Sequence, residues 1–235
     1  MRDDFFVFGG INSKDYGVGI RGNHLFDAPE RDYTSYEIPG KNGDLVIDNN
    51  RYKNKLYIYE AYIVKNFPAN ADGLRDALLS QKGYQRLEDT IHPDMFRMAI
   101  IKPFEIEMAG VMKGGEFNIE FDCKPQRFLK SGEHTISYTA NGSIRNNTNQ
   151  QAKPFLRVYG TGAGTVGIGS ETITISAISS YVDIDCEIMD AFKGATNCNG
   201  NVSFSNDIII QSGDVGITMT GNITKVDVTP RWWVV

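Results

Sequence analysis

Six residues of the 235-residue chain have the spacing of a dinucleotide-binding motif. Residues 162–167 read Gly-Ala-Gly-Thr-Val-Gly, and the acids Asp183 and Asp185 follow about twenty residues later. In a true motif of this kind a helix begins within the glycines, and its N-terminus binds the pyrophosphate. Here residues 168–175 alternate as a strand does and carry no helical stripe. The sequence therefore favours a glycine-rich hairpin and predicts no cofactor.

The residue types that bind metals or act as nucleophiles are scattered along the chain. There are three histidines and three cysteines, without C-x-x-C or other metal-ligand spacing: His24, His92, His134, Cys123, Cys186 and Cys198. Asp183 and Asp185 share one face of a predicted strand, but no acid-rich loop lies beside them to complete a calcium site. No G-x-S-x-G or H-E-x-x-H motif occurs. We therefore expect free thiols, no metal site and no enzyme.

Composition excludes two further classes of protein. The formal net charge is −5 and no stretch collects five or six basic residues, which argues against a nucleic-acid binder. A mildly acidic protein could still let DNA pass without holding it. No apolar run approaches the ~18–20 residues of a membrane span. Two acids precede the short apolar stretch at the N-terminus, unlike a secretory signal, so folding in a cytoplasm is expected.

Alternating segments predict a mainly β chain with a single helix. The helix is expected at 72–82, with Asp72 as N-cap, Gly83 at its end, and an apolar stripe of Leu74, Ala77 and Leu78. The N-terminal strand predictions are 56–64, 98–101 and 116–121. In the last of these Phe117, Ile119 and Phe121 share one face.

The composition changes near residues 125–132, where helical periodicity ends and Gly, Ser, Thr and Asn become frequent. We therefore divide the chain into a β domain with one helix, 1–128, and an all-β domain of jelly-roll type, 129–235. The Asn-rich segment 140–151 is expected to be a solvated loop. The predicted strands of the second domain are 134–138, 155–159, 172–177, 180–185, 202–204, 207–210, 216–220 and 223–228.

Both tryptophans stand side by side near the C-terminus, after Arg231. Neighbouring residues of a strand point to opposite faces, so Trp232 and Trp233 cannot share one core. Because a covered Trp buries roughly 150–250 Å², we expect a terminal strand covered on both sides, by its own sheet and by a second domain or subunit. The alternative is one buried Trp and one that lies on the surface.

Several segments, taken in order, resemble the distal tail proteins of long-tailed, non-contractile bacteriophages. No single segment is specific for this family, but the occurrence of all of them in this order along nearly the whole chain is specific. The segments are 36–45, 121–129, 152–162, 182–192 and 230–233.

The resemblance implies a ring-forming N-terminal β-barrel or sandwich-like domain bearing one α-helix, and a C-terminal galectin-like jelly-roll β-sandwich. It implies that six copies form a homohexameric ring at the tail tip of the virion, made in the host bacterial cytoplasm. The expected partners are the tail tube protein above and a tail-associated hub, fibre or receptor-binding protein below. The tape-measure protein and DNA would pass through the lumen without specific binding, and no membrane is involved.

Ring formation requires two different, complementary patches on each subunit. Exposed sheet edges or the apolar pair Leu25 and Phe26 are candidates for one patch, and Arg231, Trp232 and Trp233 are the other expected interface residues. An alternative function is a carbohydrate-binding adhesion module, in which aromatic side chains stack on sugars. Its candidate residues are Tyr138, Tyr159 and Tyr181. The chain is short for the family and lacks the long second-half insertions that carry sugar-binding modules in some members.

Overall fold

A computed structural model describes residues 4–21, 28–64, 66–106 and 114–235. These residues form a mainly β structure, as the sequence predicts. They divide into two compact units that meet in sequence between Arg127 and Phe128, with Val235 belonging to the first unit.

Seven strands of the first unit form an antiparallel sheet in the order β2-β1-β7-β8-β9-β6-β3. Its largest core side chains, Tyr59, Phe6, Phe8 and Phe121, are buried in one cluster with Leu74 and Leu78 of the helix. The strands are β1 (Phe6–Phe8), β2 (Ile11–Asn12), β3 (Val18–Arg21), β6 (Lys55–Ile63), β7 (Gln85–Asp89), β8 (Met95–Ile101) and β9 (Gly115–Cys123); β4 (Arg31–Tyr36) and β5 (Leu45–Tyr52) form a separate two-stranded hairpin. The helix α1 is Phe67–Leu79, and Ser13–Tyr16 form a short 3-10 helix.

The helix begins and ends earlier than the sequence predicted: it ends at Leu79, three residues before Lys82 and the expected stop at Gly83. Asn66 is its N-cap residue and makes no side-chain cap hydrogen bond, while Pro68 lies in the first turn, where a missing N–H costs nothing. Asp72, the predicted N-cap, is inside the helix, and its carboxylate pairs with Arg75 at 2.8 Å. The prediction was wrong because the buried stripe extends one turn further back, to Phe67 and Ala71.

The second unit is a β-sandwich whose two long strands, β13 and β19, run through both halves of one curled sheet. One half has the order β11-β19-β13-β15-β16-β17; in the other, β12 pairs with β19, β14 with β13, and β18 with β14. Both halves contribute to one apolar core, which includes Leu156, Ile168 and Val228. The strands are β11 (Ile136–Tyr138), β12 (Gly142–Asn146), β13 (Phe155–Ile168), β14 (Glu171–Ile175), β15 (Ser179–Asp185), β16 (Asp190–Lys193), β17 (Thr196–Asn197), β18 (Val202–Phe204) and β19 (Gly213–Thr229); Lys130–Glu133 and Asn199–Asn201 are 3-10 helices.

The glycine motif 162–167 lies within β13 and forms one arm of a hairpin, as the sequence predicted, because residues 164–168 pair with β14. The register between β13 and β19 shifts twice at this point, between Tyr159 and Gly164. A Cβ on Gly221 would lie 2.6 Å from the Ala163 carbonyl oxygen, and its φ of +66° favours glycine. The glycines therefore permit two strands to bend together at close approach, and the hairpin turn follows the motif at Gly169.

The C-terminal strand is interrupted, which corrects the expectation of one continuous terminal strand. β19 ends at Thr229, Pro230 supplies no N–H, and Arg231 has a φ of +57°. The chain then resumes as β20 (Trp233–Val234), which pairs with β10 (Arg127–Leu129). The predicted strand 207–210 is also absent, apart from a single bridge between Ala152 and Ile210.

Candidate interaction surfaces

The hairpin β4–β5 presents an unusual amount of apolar surface. Nearly every strand residue in it is exposed on both faces. Six large side chains are 39–56% exposed: Tyr33, Tyr36, Ile38, Leu45, Val46 and Ile47. A two-stranded hairpin without a covering layer is only marginally stable in water, and large apolar side chains exposed on both of its faces are typical of an interaction site.

Ion pairs across the base of the hairpin hold its two strands in register. Arg31 pairs with Asp48 at 2.7 Å, and Arg51 pairs with Asp32 at 2.5 Å. Hydrogen bonds from Arg31 lower the pKa of Asp48, and those from Arg51 lower the pKa of Asp32. The hairpin therefore has a charged base and an apolar outer part.

The open face of the first sheet is acidic. Residues that alternate with the buried ones on β6 and β9 point outward, away from α1. Arg21 on β3 pairs with Glu116 at 2.7 Å. The other outward acids of these two strands are Glu60, Glu120 and Asp122, and the exposed apolar residues among them are Leu56 and Ile58. A phosphate polymer passing over this face would meet repulsion and no concentrated positive charge.

The predicted C-terminal interface residues occupy three different environments. Trp232 is 9% exposed and belongs to the core of the second unit, whereas Trp233 is partly buried and its Nε1 donates to the Gln151 carbonyl oxygen at 2.9 Å. Arg231 donates to both carboxylate oxygens of Asp185, at 2.6 and 2.8 Å. A role of these residues in contact with another subunit stays a prediction. Leu25 and Phe26 lie outside the described residues.

Burial alone would raise the pKa of Asp185, but hydrogen bonds from Arg231 and from the Glu187 N–H outweigh it, so the pKa is lowered. The hydrogen bonds that Arg231 itself donates to Asp185 raise the pKa of Arg231. Both groups are charged near neutral pH, and the pair is a structural one.

Tyr159 and Tyr181 are brought together on the outward face of the second unit. They are cross-strand partners on β13 and β15, and their ring centroids are 6.3 Å apart. Each ring has cations over it: Lys225 lies 4.9 Å from the Tyr159 centroid, and Arg157 4.7 Å from that of Tyr181. Tyr138 is not part of this group, because it packs against the core and its hydroxyl donates to the Ser143 carbonyl oxygen at 3.0 Å.

The geometry offers little support for catalysis or metal binding among the described residues. Cys123 and Cys186 are buried, and burial raises the pKa of each thiol to about 12, so neither is a ready nucleophile. Within the described ranges, no group of three or more His, Cys, Asp or Glu side chains could hold a metal ion. In the same ranges, no helix has the length and apolar character to cross a membrane.

One buried polar cluster gave no signal in the sequence. The Asp89 carboxylate accepts hydrogen bonds from the Tyr59 hydroxyl and from the His92 N–H, both at 2.6 Å. Arg97 lies 3.7 Å from it. Burial raises the pKa of Tyr59 well above its ordinary value, so the hydroxyl stays protonated as the donor. The cluster is internal to the first unit and stabilises its fold.

Comparison with known proteins finds similarity in structure and none in sequence. The chain matches no family model and no curated protein by sequence. By structure it is similar to the SPP1 Dit protein, which is described as a paradigm of the hub adsorption apparatus in phages that infect Gram-positive bacteria. The TM-score is 0.74 at 10% identity, and the match covers 96% of this chain and 98% of that one. It is also similar to chains of the phage P2 baseplate in its activated conformation with Ca (TM-score 0.55) and with Sr (0.54), each at 11% identity over 97% of both chains. At the level of fold, these comparisons confirm the resemblance to distal tail proteins seen in the sequence.

Proposed function

We propose that the protein is a structural component of a phage tail tip, where copies form a hexameric ring that joins the tail tube to the host-recognition apparatus. The observation that carries the proposal is the likeness to the SPP1 Dit protein over 96% of this chain and 98% of that one. The likeness to the SPP1 Dit protein extends over both units of this chain in the same order. It therefore supports a shared architecture more strongly than a match to one β-sandwich alone would. The protein acts by contact with other proteins and not as an enzyme.

The hairpin β4–β5 supplies one of the two patches that a ring requires. A head-to-tail contact joins different surfaces of neighbouring copies, and it closes when the rotation between copies fits. The exposed apolar residues of the hairpin, among them Tyr36 and Leu45, gain stability only when another surface covers them. We assign that covering surface to a neighbouring copy of the same chain.

The acidic face of the first sheet suits the wall of a channel. Glu60, Glu120 and Asp122 lie on it, so DNA would slide past and would not adhere. The tape-measure protein and then the genome would pass there. The tube protein would lie above the ring, and a hub, fibre or receptor-binding protein below it.

Light scattering with mass determination tests the proposal. The purified chain, at micromolar concentration and over a range of salt, is expected to form a closed oligomer, alone or with the tube or hub protein. A chain that stays monomeric and also fails to bind either partner would contradict the proposal. An electron-microscope image of the oligomer should then show a ring with a central opening.

A further inference from the structure

Three Asn-Gly pairs occur in the chain, and the structure holds two of them in place. In such a pair the glycine backbone nitrogen can attack the side-chain carbonyl carbon of the asparagine, because no Cβ on the glycine stands in the way. The pairs are Asn42–Gly43, Asn141–Gly142 and Asn199–Gly200. Since the two reacting residues are the same in each pair, the surrounding structure decides which pair reacts.

The side-chain amides of Asn141 and Asn199 are anchored by hydrogen bonds. The Asn141 Oδ1 accepts from the Met219 N–H at 2.8 Å. The Asn199 Nδ2 donates to Asp190 at 2.7 Å, and its Oδ1 accepts from the Ala191 N–H at 2.6 Å. Attack by the following glycine nitrogen requires each amide to rotate out of these hydrogen bonds. Because breaking them raises the barrier, the fold slows the reaction at both pairs.

The third pair lies in the exposed turn of the hairpin, residues 37–44, between β4 and β5. Within the described ranges, neither Asn42 nor Gly43 takes part in a hydrogen bond. Nothing lies within 4 Å of a Cβ built on Gly43, and glycine readily adopts its φ of +80°. The side chain of Asn42 is therefore free to rotate toward the Gly43 nitrogen, and there is space for the five-membered ring that the attack forms.

We propose that Asn42 and Gly43 form a self-modification site, at which the free chain converts the Asn42 side chain to a carboxylate with water as the co-reactant. The Gly43 nitrogen bonds to the Asn42 Cγ, the Cγ–Nδ2 bond breaks, and ammonia leaves with the proton of the Gly43 N–H. Water then opens the resulting succinimide ring at either of its carbonyl groups. The product is aspartate, or isoaspartate with one additional methylene in the backbone.

The reaction places a negative charge at the apolar outer part of the hairpin. Tyr36 and Leu45 flank the turn as cross-strand partners and are about half exposed. The turn already carries two acids and one base, Glu37, Asp44 and Lys41, so the product adds to an excess of acid. A surface that covers the hairpin would have to remove this charge from water, which is costly. Conversion should therefore weaken contact between copies, a consequence that rests on the proposed function.

Incubation of the full chain at neutral pH and physiological temperature, followed by peptide mapping with mass spectrometry, tests the proposal. We expect Asn42 to convert at least about tenfold faster than Asn141 and Asn199, a ratio equivalent to about 1.4 kcal/mol in barrier height. The rate should rise toward alkaline pH, because the attacking nitrogen must lose its proton. In urea, where the fold no longer holds any of the amides, the three sites should convert at similar rates. No conversion at Asn42, or equal rates at the three pairs in the folded chain, would overturn the proposal.

Two variants of Asn42 separate the chemistry from its consequence. Asn42→Gln keeps the amide but would need a six-membered ring, so it should not convert, whereas Asn42→Asp carries the product charge from the start. Both should melt as the wild type does, because the position is exposed. In sedimentation velocity, Asn42→Asp should associate about tenfold more weakly than Asn42→Gln.

The outcomes distinguish this proposal from that of the ring. Equal association of the two variants, with the wild type still assembling, would overturn the consequence for assembly and leave the ring standing. A wild-type chain that forms no oligomer, alone or with the tube or hub protein, would instead contradict the ring. The conversion rates of the three asparagines decide the modification site in either case.

Discussion

Arg231 and Asp185 form a bidentate ion pair that anchors the chain just after β19 has ended. The guanidinium donates to both carboxylate oxygens, at 2.6 and 2.8 Å, and the Arg231 backbone N–H donates to the Gly132 carbonyl oxygen at 2.8 Å. Arg231 has a φ of +57°, a conformation that costs a residue other than glycine on the order of 1 kcal/mol or more. The pair offsets that cost, and it holds the backbone immediately before Trp232.

Replacing Asp185 with Asn should destabilise the second unit in a pH-dependent way. The folded pKa of Asp185 is below its unfolded value of about 3.9. The pair therefore contributes its full stability above that value and loses it as the pH falls through the folded pKa. We expect Asp185→Asn to cost about 1–2 kcal/mol at pH 7, since the pair is partly exposed, and progressively less below about pH 4. Urea unfolding at several pH values measures this.

Asp207→Asn is the control for that measurement. Asp207 belongs to an exposed pair with Lys153 at 3.3 Å, so its loss should cost about 0–1 kcal/mol. An Asp185→Asn effect that is equally large at pH 3 and pH 7 would contradict the electrostatic account.

The two tryptophans should respond unequally to truncation. Trp232 is in the core of the second unit, so Trp232→Ala should cost about 3–5 kcal/mol. Trp233 is partly buried and makes one hydrogen bond to Gln151, so Trp233→Ala should cost about 1–2 kcal/mol in the single chain. Thermal and urea melts measure both variants. A Trp232→Ala protein as stable as the wild type would show that its burial is not stabilising.

Sequence periodicity could predict those elements in which local pattern and burial agree. In β9, Phe117, Ile119 and Phe121 are buried and Glu116 and Asn118 point outward, as the alternation predicts. The interior of the helix was predictable for the same reason, but its start was not. That start depends on burial of Phe67 and Ala71 against the sheet, which propensity alone does not report.

Tertiary contacts decided the elements that the sequence did not predict. Residues 140–151 read as a solvated loop, yet they contain β12, and Asn146 is buried. Its amide donates to the carbonyl oxygens of Gln150 and Ile210 at 2.8 and 3.1 Å, so a polar side chain holds a segment far away in sequence. The ion pair of Arg157 with Asp183 was unpredictable for a similar reason, since strand register alone places Arg157 between Asp183 and Asp227.

The bend shared by β13 and β19 should tolerate no side chain at Gly221. A methyl group there would lie 2.6 Å from the Ala163 carbonyl oxygen, and the φ of +66° adds strain. We expect Gly221→Ala to cost roughly 2 kcal/mol or more. Gly216 lies on the same strand with nothing within 4 Å of its added Cβ, so Gly216→Ala should change stability by about 0.5 kcal/mol or less. Equal melting temperatures for the two variants would refute the explanation of the glycine motif.

The hairpin face that carries Leu45 and Ile47 should contribute to assembly without contributing to folding. Leu45 and Ile47 share one face with Tyr36, because Tyr36 is opposite Leu45 and strand side chains alternate. Both are about half exposed, so Leu45→Ser with Ile47→Ser should leave the melting temperature of the monomer unchanged. The same change should weaken association by at least about tenfold if a neighbouring copy covers this face, since each buried aliphatic side chain contributes about 1.5–3 kcal/mol.

Ile188 supplies the control for the hairpin experiment. It is an apolar residue of the second unit that is 67% exposed, so Ile188→Ser removes comparable exposed surface away from the hairpin. Sedimentation velocity over a concentration series would show whether only the hairpin variant shifts toward monomer. Because neither substitution alters a buried side chain, a shift confined to the hairpin variant reports on contact between copies. If both variants associate as the wild type does, the hairpin is not the patch that joins the copies.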